Sequence, residues 1–441
     1  MKGFSIIAIS ASLLSTCTEG IHLRRRAAGT AKVVGLPFEK NTIRNVVPRG
    51  KLSRRARVVE TVIENEDISY YTNISLGTPA QNFQVVLSTG ASDFWVNAAR
   101  PESCQTEAGP CDGVYSAKDS STYSFVSNDM KIEYQEGDVE GDFAKDTLTI
   151  GTATLPSLQF GVAHERSPSL KEGVLGLGYE ISQVQAKAGK DTYKTLTSRM
   201  VEDGLIQSNA FSMWMDNPEM NTGTILFGGV DTAKFTGTLQ TVPIQTTRGR
   251  IEKLCIALTA VTLGDTVIMD DEPEPAVIDT ATANTHLPYH LAHRIYNTVS
   301  AKYVHLYNVA FVDCSLADDT KTLDFTFSGA KISVPMNELV FEISDEDRGH
   351  LKIEKNSGIC YFGISIASRA LLGDTFLRSA YLVFDLANNE ISLAQNRVNP
   401  HASQIFEITT GTASVPNATR VENPIAAPIL DPKAGAATPV R

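Results

Sequence analysis

The chain has 441 residues, of which 42% are hydrophobic and 20% charged, with a formal net charge of −11. That length supplies a large core and room for two lobes, and the acidic excess argues against nucleic acid or an anionic membrane surface as partner. Plentiful glycine and short β-branched runs broken by turn residues predict a mainly β protein.

At the N-terminus Lys2 precedes an apolar run from Phe4 to Leu14, and small and polar residues follow to Gly20. Residues 1–20 therefore read as a secretory signal peptide. The run is too short to span a bilayer, and no later stretch is long enough for a stable membrane anchor. Residues 21–57 carry eleven Lys or Arg against one acidic residue, Glu39, and contain Arg24-Arg25-Arg26 and Arg54-Arg55. This is the pattern of a basic propeptide removed at paired basic residues, with a disordered basic arm as the alternative. Without residues 1–57 the remainder has 27 basic and 48 acidic residues, a net of −21. Repulsion among those carboxylates relaxes as pH falls, which suits an acidic medium. The expected location is extracellular, with the cell wall or the vacuole as alternatives.

Two segments echo each other: FQVVLSTGASDFWV (83–96) and PAVIDTATANTHLP (275–288). Each is an apolar strand running into a polar–Thr–small turn. Each is followed at roughly 90 residues by an apolar-apolar-Gly step, Val174-Leu175-Gly176 and Leu371-Leu372-Gly373. Such an echo suggests two related halves meeting at matching turns, one over 58–240 and one over 241–396. Helices are few. Leu196, Met200 and Val201 fall at helical spacing with Gly204 as a C-terminal cap. Leu291, Ile295 and Val299 form a second stripe, with Pro288 near its start.

Six cysteines are present. Secretion permits disulfides: Cys104 and Cys111 would close a short loop, and Cys314 and Cys360 a longer one. Cys255 then stays a buried thiol in an apolar strand. No Cys/His spacing resembles a zinc site, no phosphate-binding glycine loop occurs, and no metal or cofactor is expected. Residues 397–441 are rich in Ala, Pro and Thr, lack periodicity, and read as a disordered tail. Asn417-Ala418-Thr419 is a glycosylation sequence, as is Asn73-Ile74-Ser75, the latter in an apparent strand where access is in question.

From about Tyr70 to Gln395 the motifs YYTNISLGTPAQNFQVVLSTGASDFWV, CDGVYSAKDSSTYS, IEYQEGDVEGDFAKDTL, GVLGLGY, TGTILFGGVDTAKFTGTLQTVPI, AVIDTATANTHLP and LLGDTFLRSAYLVFDLANNEISLAQ occur in order. This series resembles the pepsin-like aspartic endopeptidases, and within them the secreted fungal, yapsin-like branch. The resemblance implies a bilobal β fold around a central cleft, a hairpin flap, and a peptide or protein bound by a monomer. It implies that Asp279 is the second catalytic aspartate and that Thr89 and Thr280 brace the two active-site loops, which also contain Gly90, Ala281 and Thr282. It implies a flap tyrosine at Tyr134 bonded to Trp95, and disulfides Cys104–Cys111 and Cys314–Cys360.

The sequence departs from that pattern where it matters most. Ser88 stands in the place of the first catalytic aspartate, and Asp93 matches a separate family position. Ala281 replaces the glycine of the second turn, where its methyl group is expected to disturb a close approach. Ala91 replaces a frequent serine, and Gln135 a glycine of the flap. Two adjacent carboxyls share one proton and activate a water between them, and a serine hydroxyl cannot take that part. The expectation is a peptide-binding pseudoprotease, with a weakly active acid endopeptidase using Asp279 and a water as the alternative. A structural role for the scaffold alone is a third reading. A Ser88 nucleophile would need a base in reach, and His286 and His290 are placed past the turn.

Overall fold

Apolar runs that lack alternation belong to strands covered on both faces, and the two echoed segments form such strands. The computed structural model describes residues 32–40, 70–99, 113–134, 137–216, 222–246, 249–398, 400 and 402–428. The signal peptide expected at 1–20, most of the basic segment, Cys104, Cys111 and Gln135 lie outside the described residues. In the strand Gln81–Ser88, Asn82 and Gln84 are exposed, whereas Val85 through Ser88 are all buried. It pairs antiparallel with Tyr70–Leu76 and parallel with Gly173–Gly176, placing Ser88 opposite Gly176. Its counterpart Glu274–Ile278 pairs antiparallel with Cys255–Leu258 and parallel with Ala370–Leu372.

Among the described residues a fifteen-stranded sheet joins the two halves of the chain. Its first-half strands run from Ser124–Glu133 inward to Thr222–Phe227 and Ala210–Met215. The last of these pairs with Ala380–Asp385, which pairs in turn with Glu390–Gln395. A five-stranded sheet and two four-stranded sheets complete the second half. The halves meet over a buried polar knot: Tyr70 donates to Asp374, and Arg378 lies 2.9 Å from Glu338 and 3.5 Å from Asp374. Helices are short, as expected. Leu196–Glu202 buries Leu196 and Met200 and ends at Gly204, whose φ is +69°. Tyr289–Thr298 starts after Pro288 and buries Leu291 and Ile295. Cys314 and Cys360 form a disulfide, and Cys255 is free and buried.

Two segments are more ordered than the sequence suggests. Within the basic segment, Val34–Lys40 is a strand inserted between Thr222–Phe227 and Tyr70–Leu76. Val34, Leu36 and Phe38 are buried there, an alternation hidden among lysines and arginines. The tail expected to be disordered from 397 is also corrected over 402–428. Ile405–Glu407 pairs with Gly229–Asp231, and Ala418–Arg420 pairs in parallel with Leu239–Pro243 at the end of the large sheet. Ile405 and Ile408 are buried, Arg420 ion-pairs with Glu390, and Ser414 donates to Asp385. Three-residue strands carry too little periodicity to be read from sequence, and an unpaired strand edge is what they satisfy. Among the described residues no helix is long and apolar enough to cross a membrane.

Candidate functional site

The two echoed strands each end in a turn, and the turns face each other. Thr89 Oγ1 donates to the Ile278 carbonyl at 2.9 Å, and Thr280 Oγ1 donates to the Leu87 carbonyl at 2.8 Å. The Thr280 amide donates to Thr89 Oγ1 at 3.1 Å, and the Thr89 amide donates to Thr280 Oγ1 at 3.0 Å. Both threonines are buried. The four bonds are related by an approximate twofold exchange, and that exchange makes Ser88 the positional twin of Asp279. The structure thus brings together Ser88, Thr89, Gly90, Asp279, Thr280, Ala281 and Thr282 from positions almost 200 residues apart in the sequence.

The apolar-apolar-Gly steps explain their own spacing. Gly176 and Gly373 pass so close beneath the turns that a Cβ would lie 2.6 Å from the Asp93 carbonyl in one and 2.3 Å from the Thr282 carbonyl in the other. Only glycine permits that approach.

The side chains at the twin positions differ. Ser88 is buried, and its Oγ accepts the Ala91 amide at 3.1 Å. Asp279 is half-buried; Oδ1 accepts the Ala281 amide at 2.9 Å and Oδ2 accepts the Thr282 hydroxyl at 3.2 Å. Among the described residues no hydrogen bond joins Ser88 to Asp279. A Cβ on Gly90 would lie 2.5 Å from Asp279 Oδ2, so the carboxylate packs directly on the first turn. Ala281, by contrast, is exposed. The expected crowding by its methyl group is therefore not what the structure has: beside a serine, the methyl group has room.

Asp93 is occupied elsewhere. Its carboxylate accepts the Tyr193 hydroxyl at 2.8 Å and the Val184 amide at 3.0 Å, and burial raises its pKa above the ordinary carboxylate value. Trp95 is fully buried, and its Nε1 donates to the Tyr134 hydroxyl at 2.8 Å. Tyr134 closes the hairpin formed by Ser124–Glu133 and Asp138–Ile150, its amide donating to the Gly137 carbonyl. No hydrogen bond links His286 or His290 to Ser88; His290 lies 3.7 Å from Glu274, and burial pushes the His286 imidazole down to about 4. Burial pushes the Cys255 thiol up to about 12, which makes it inert. Asn73 is exposed, but Ile74 beside it is buried and Ser75 is bonded to Asn82 within the paired strand; Asn417 is exposed near the end of the described residues. Among the described residues no group of three or more His, Cys, Asp or Glu side chains is placed to hold a metal ion.

One neighbour of the site was missed in the sequence. Lys253 Nζ donates to the Gly90 carbonyl at 3.2 Å, and burial lowers its pKa. It precedes an apolar strand with no motif around it, so no spacing in the sequence singled it out.

Comparison with known proteins places these features. The family model described as eukaryotic aspartyl protease matches residues 69–396. The probable aspartic-type endopeptidase opsB of Aspergillus oryzae is 42% identical over 427 residues, which is 94% of this chain and 86% of that protein. Secreted aspartic protease 8 of Candida albicans is 32% identical over 360 residues, covering 80% of this chain and 82% of the other. The crystal structure of aspartic proteinase from Irpex lacteus aligns with a TM-score of 0.62 at 22% identity, over 76% of this chain and 96% of that one. That last likeness is one of fold.

Proposed function

Since the chain belongs to the eukaryotic aspartyl protease family, we propose that it is a secreted pepsin-like protein whose cleft binds extended peptide but whose capacity to hydrolyse it is strongly impaired. The observation that carries this reading is the unequal pair at the twin positions: one carboxylate, Asp279, faces one hydroxyl, Ser88, across reciprocal threonine bonds.

The chemistry follows from proton sharing. Two carboxyls held together cannot both ionise, so one stays protonated to polarise the scissile carbonyl while the other draws a proton from water. Asp279 supplies one carboxyl. The Ser88 hydroxyl neither releases nor takes up a proton in the acidic range. General acid–base assistance is worth roughly 100- to 10,000-fold per group, so its loss raises the barrier by ~3–5 kcal/mol. Two observations support peptide binding: Tyr134 is bonded to Trp95 at the hairpin, and the two turns are braced against each other. Secretion is supported by the apolar N-terminal run after Lys2.

The test is a cleavage assay on purified protein with a broad peptide library at acidic pH, beside the Asp279→Asn variant. Little or no cleavage, with retained peptide binding, is expected. Efficient cleavage that disappears in Asp279→Asn would replace this reading with that of an active endopeptidase working through Asp279 and a water.

A further inference from the structure

Two cations, Lys253 and Arg369, stand on the strands that flank the one delivering Asp279, and a third, Lys187, on an adjoining helix, in a body with a large acidic excess. Lys253 sits two residues before Cys255–Leu258, the strand paired with Glu274–Ile278. The register is locked by the Ile278 amide, which donates to the Leu254 carbonyl at 2.9 Å. Arg369 immediately precedes Ala370–Leu372, which pairs with the same strand from its other side, Ala276 opposite Ala370. Lys187 ends the short helix Val184–Lys187. The Ser182 hydroxyl, just before that helix, donates to the Glu252 carbonyl and ties it to the Lys253 segment.

The antiparallel register sets Lys253 level with Asp279, whereas the parallel one sets Arg369 level with Pro275 and Lys187 is exposed. Lys187 and Arg369 act on Lys253 as more distant like charges, Asp279 and Glu252 as opposite ones. None of the three cations has a carboxylate within ion-pair distance among the described residues. Lys253 instead donates to the Gly90 carbonyl. Lys253 is half-buried at the first turn and has no carboxylate in ion-pair range among the described residues, so an incoming anion meets its charge at a partly desolvated site where attraction is stronger than in water, with Lys187 and Arg369 adding positive potential from further away.

We propose that the cleft selects peptides bearing a carboxylate, held by Lys253 beside the two turns with Lys187 and Arg369 flanking it. This rests on the cleft being a peptide-binding site and names the class of peptide it prefers. The anion is either an Asp or Glu side chain or a C-terminal carboxylate.

Fluorescence anisotropy on the full chain tests it. The probes are labelled eight-residue amidated peptides with a single Glu scanned through them, their matched Gln and Lys versions, and neutral peptides with a free C-terminus. A Glu peptide at one register is expected to bind at least tenfold tighter than its Gln match, an advantage that shrinks at about 0.5 M salt. If only free-terminus peptides gain, the anion is the chain end. Lys253→Met is expected to bring Glu and Gln peptides to equal affinity, and Lys253→Arg to retain part of the preference. Should Lys253→Met fail to fold, Lys187→Gln and Arg369→Gln carry the test, each weakening the preference severalfold. Equal binding of Glu and Gln peptides, tighter binding of Lys peptides, or a preference that survives Lys253→Met overturns the inference alone. If no peptide binds at all, the peptide-cleft reading falls and this one with it.

Discussion

The turn Ser88-Thr89-Gly90 and the turn Asp279-Thr280-Ala281 share a backbone arrangement and differ in what surrounds it. Each threonine donates to a carbonyl of the opposite strand and accepts the amide of its twin. At the first turn a short hydroxyl side chain accepts one local amide. At the second, a carboxylate reaches across and packs on Gly90. Five residues further on, the first half has Asp93, buried and bonded to Tyr193, whereas the second has Asn284, whose amide donates to Ser365. The brace that positions the turns is independent of the side chains it positions. The two turns keep matching geometry with a hydroxyl at one twin position and a carboxylate at the other.

The sharpest way to break the comparison is to make the turns alike. By the twofold exchange, a carboxylate at position 88 would reach toward residue 281 as Asp279 reaches toward Gly90. There a methyl group would come within about 2.5 Å of a carboxylate oxygen, the distance found for a Cβ on Gly90. Ser88→Asp with Ala281→Gly is therefore expected to raise peptide hydrolysis at acidic pH by roughly 100- to 10,000-fold. Ser88→Asp alone should recover far less. A folded double variant with unchanged kcat/KM would sink the proposal that Ser88 is what limits hydrolysis.

The same clash read as stability gives the next contrast. Gly90→Ala drives a methyl group into the Asp279 carboxylate and should cost about 1–3 kcal/mol, whereas Ala281→Gly at an exposed position should change stability by about 0.5 kcal/mol or less. Urea unfolding of both variants checks this, and equal losses would mean that the two turns are packed alike. The brace itself should be symmetric. Thr89→Val and Thr280→Val each remove one donated and one accepted bond, and each should cost about 1–3 kcal/mol. Losses that differ widely in thermal melts would show that one turn leans on the other.

The smallest effect concerns Asp93 and its twin. Burial raises the Asp93 carboxyl, and the bonds from Tyr193 and Val184 oppose that only in part. A carboxyl raised in the folded state lends stability that is whole below its unfolded value and is lost as pH climbs through the folded one. Asp93→Asn, which copies Asn284, should therefore flatten the fall in melting temperature as pH rises above the ordinary aspartate value of about 4. An unchanged slope would mean that Asp93 ionises freely in the folded protein.

Legibility in the sequence followed the range of the interaction. The buried strands ending at Ser88 and Ile278 announce themselves as apolar runs, and the helices by their stripes and by Gly204 and Pro288, because these depend on neighbours close in the chain. The braced threonines were found through the resemblance and the echo. Lys253 was not legible, because its neighbours Lys187, Asp279 and Arg369 come from separate stretches of the chain. The room beside Ala281 was misjudged because the sequence does not show which way a Cβ faces across a turn.

By itself the sequence determined that this is a mainly β chain with two echoed turns carrying one carboxylate and one hydroxyl. Covalent identity and short-range pattern suffice for that. Only the tertiary structure decided that Val34–Lys40 enters the large sheet, that residues 402–428 supply strands at its end and beside it, and that Lys253 lies against the Gly90 turn. Strand edges and charge clusters are completed by partners distant in the chain, and folding alone determines which partners meet.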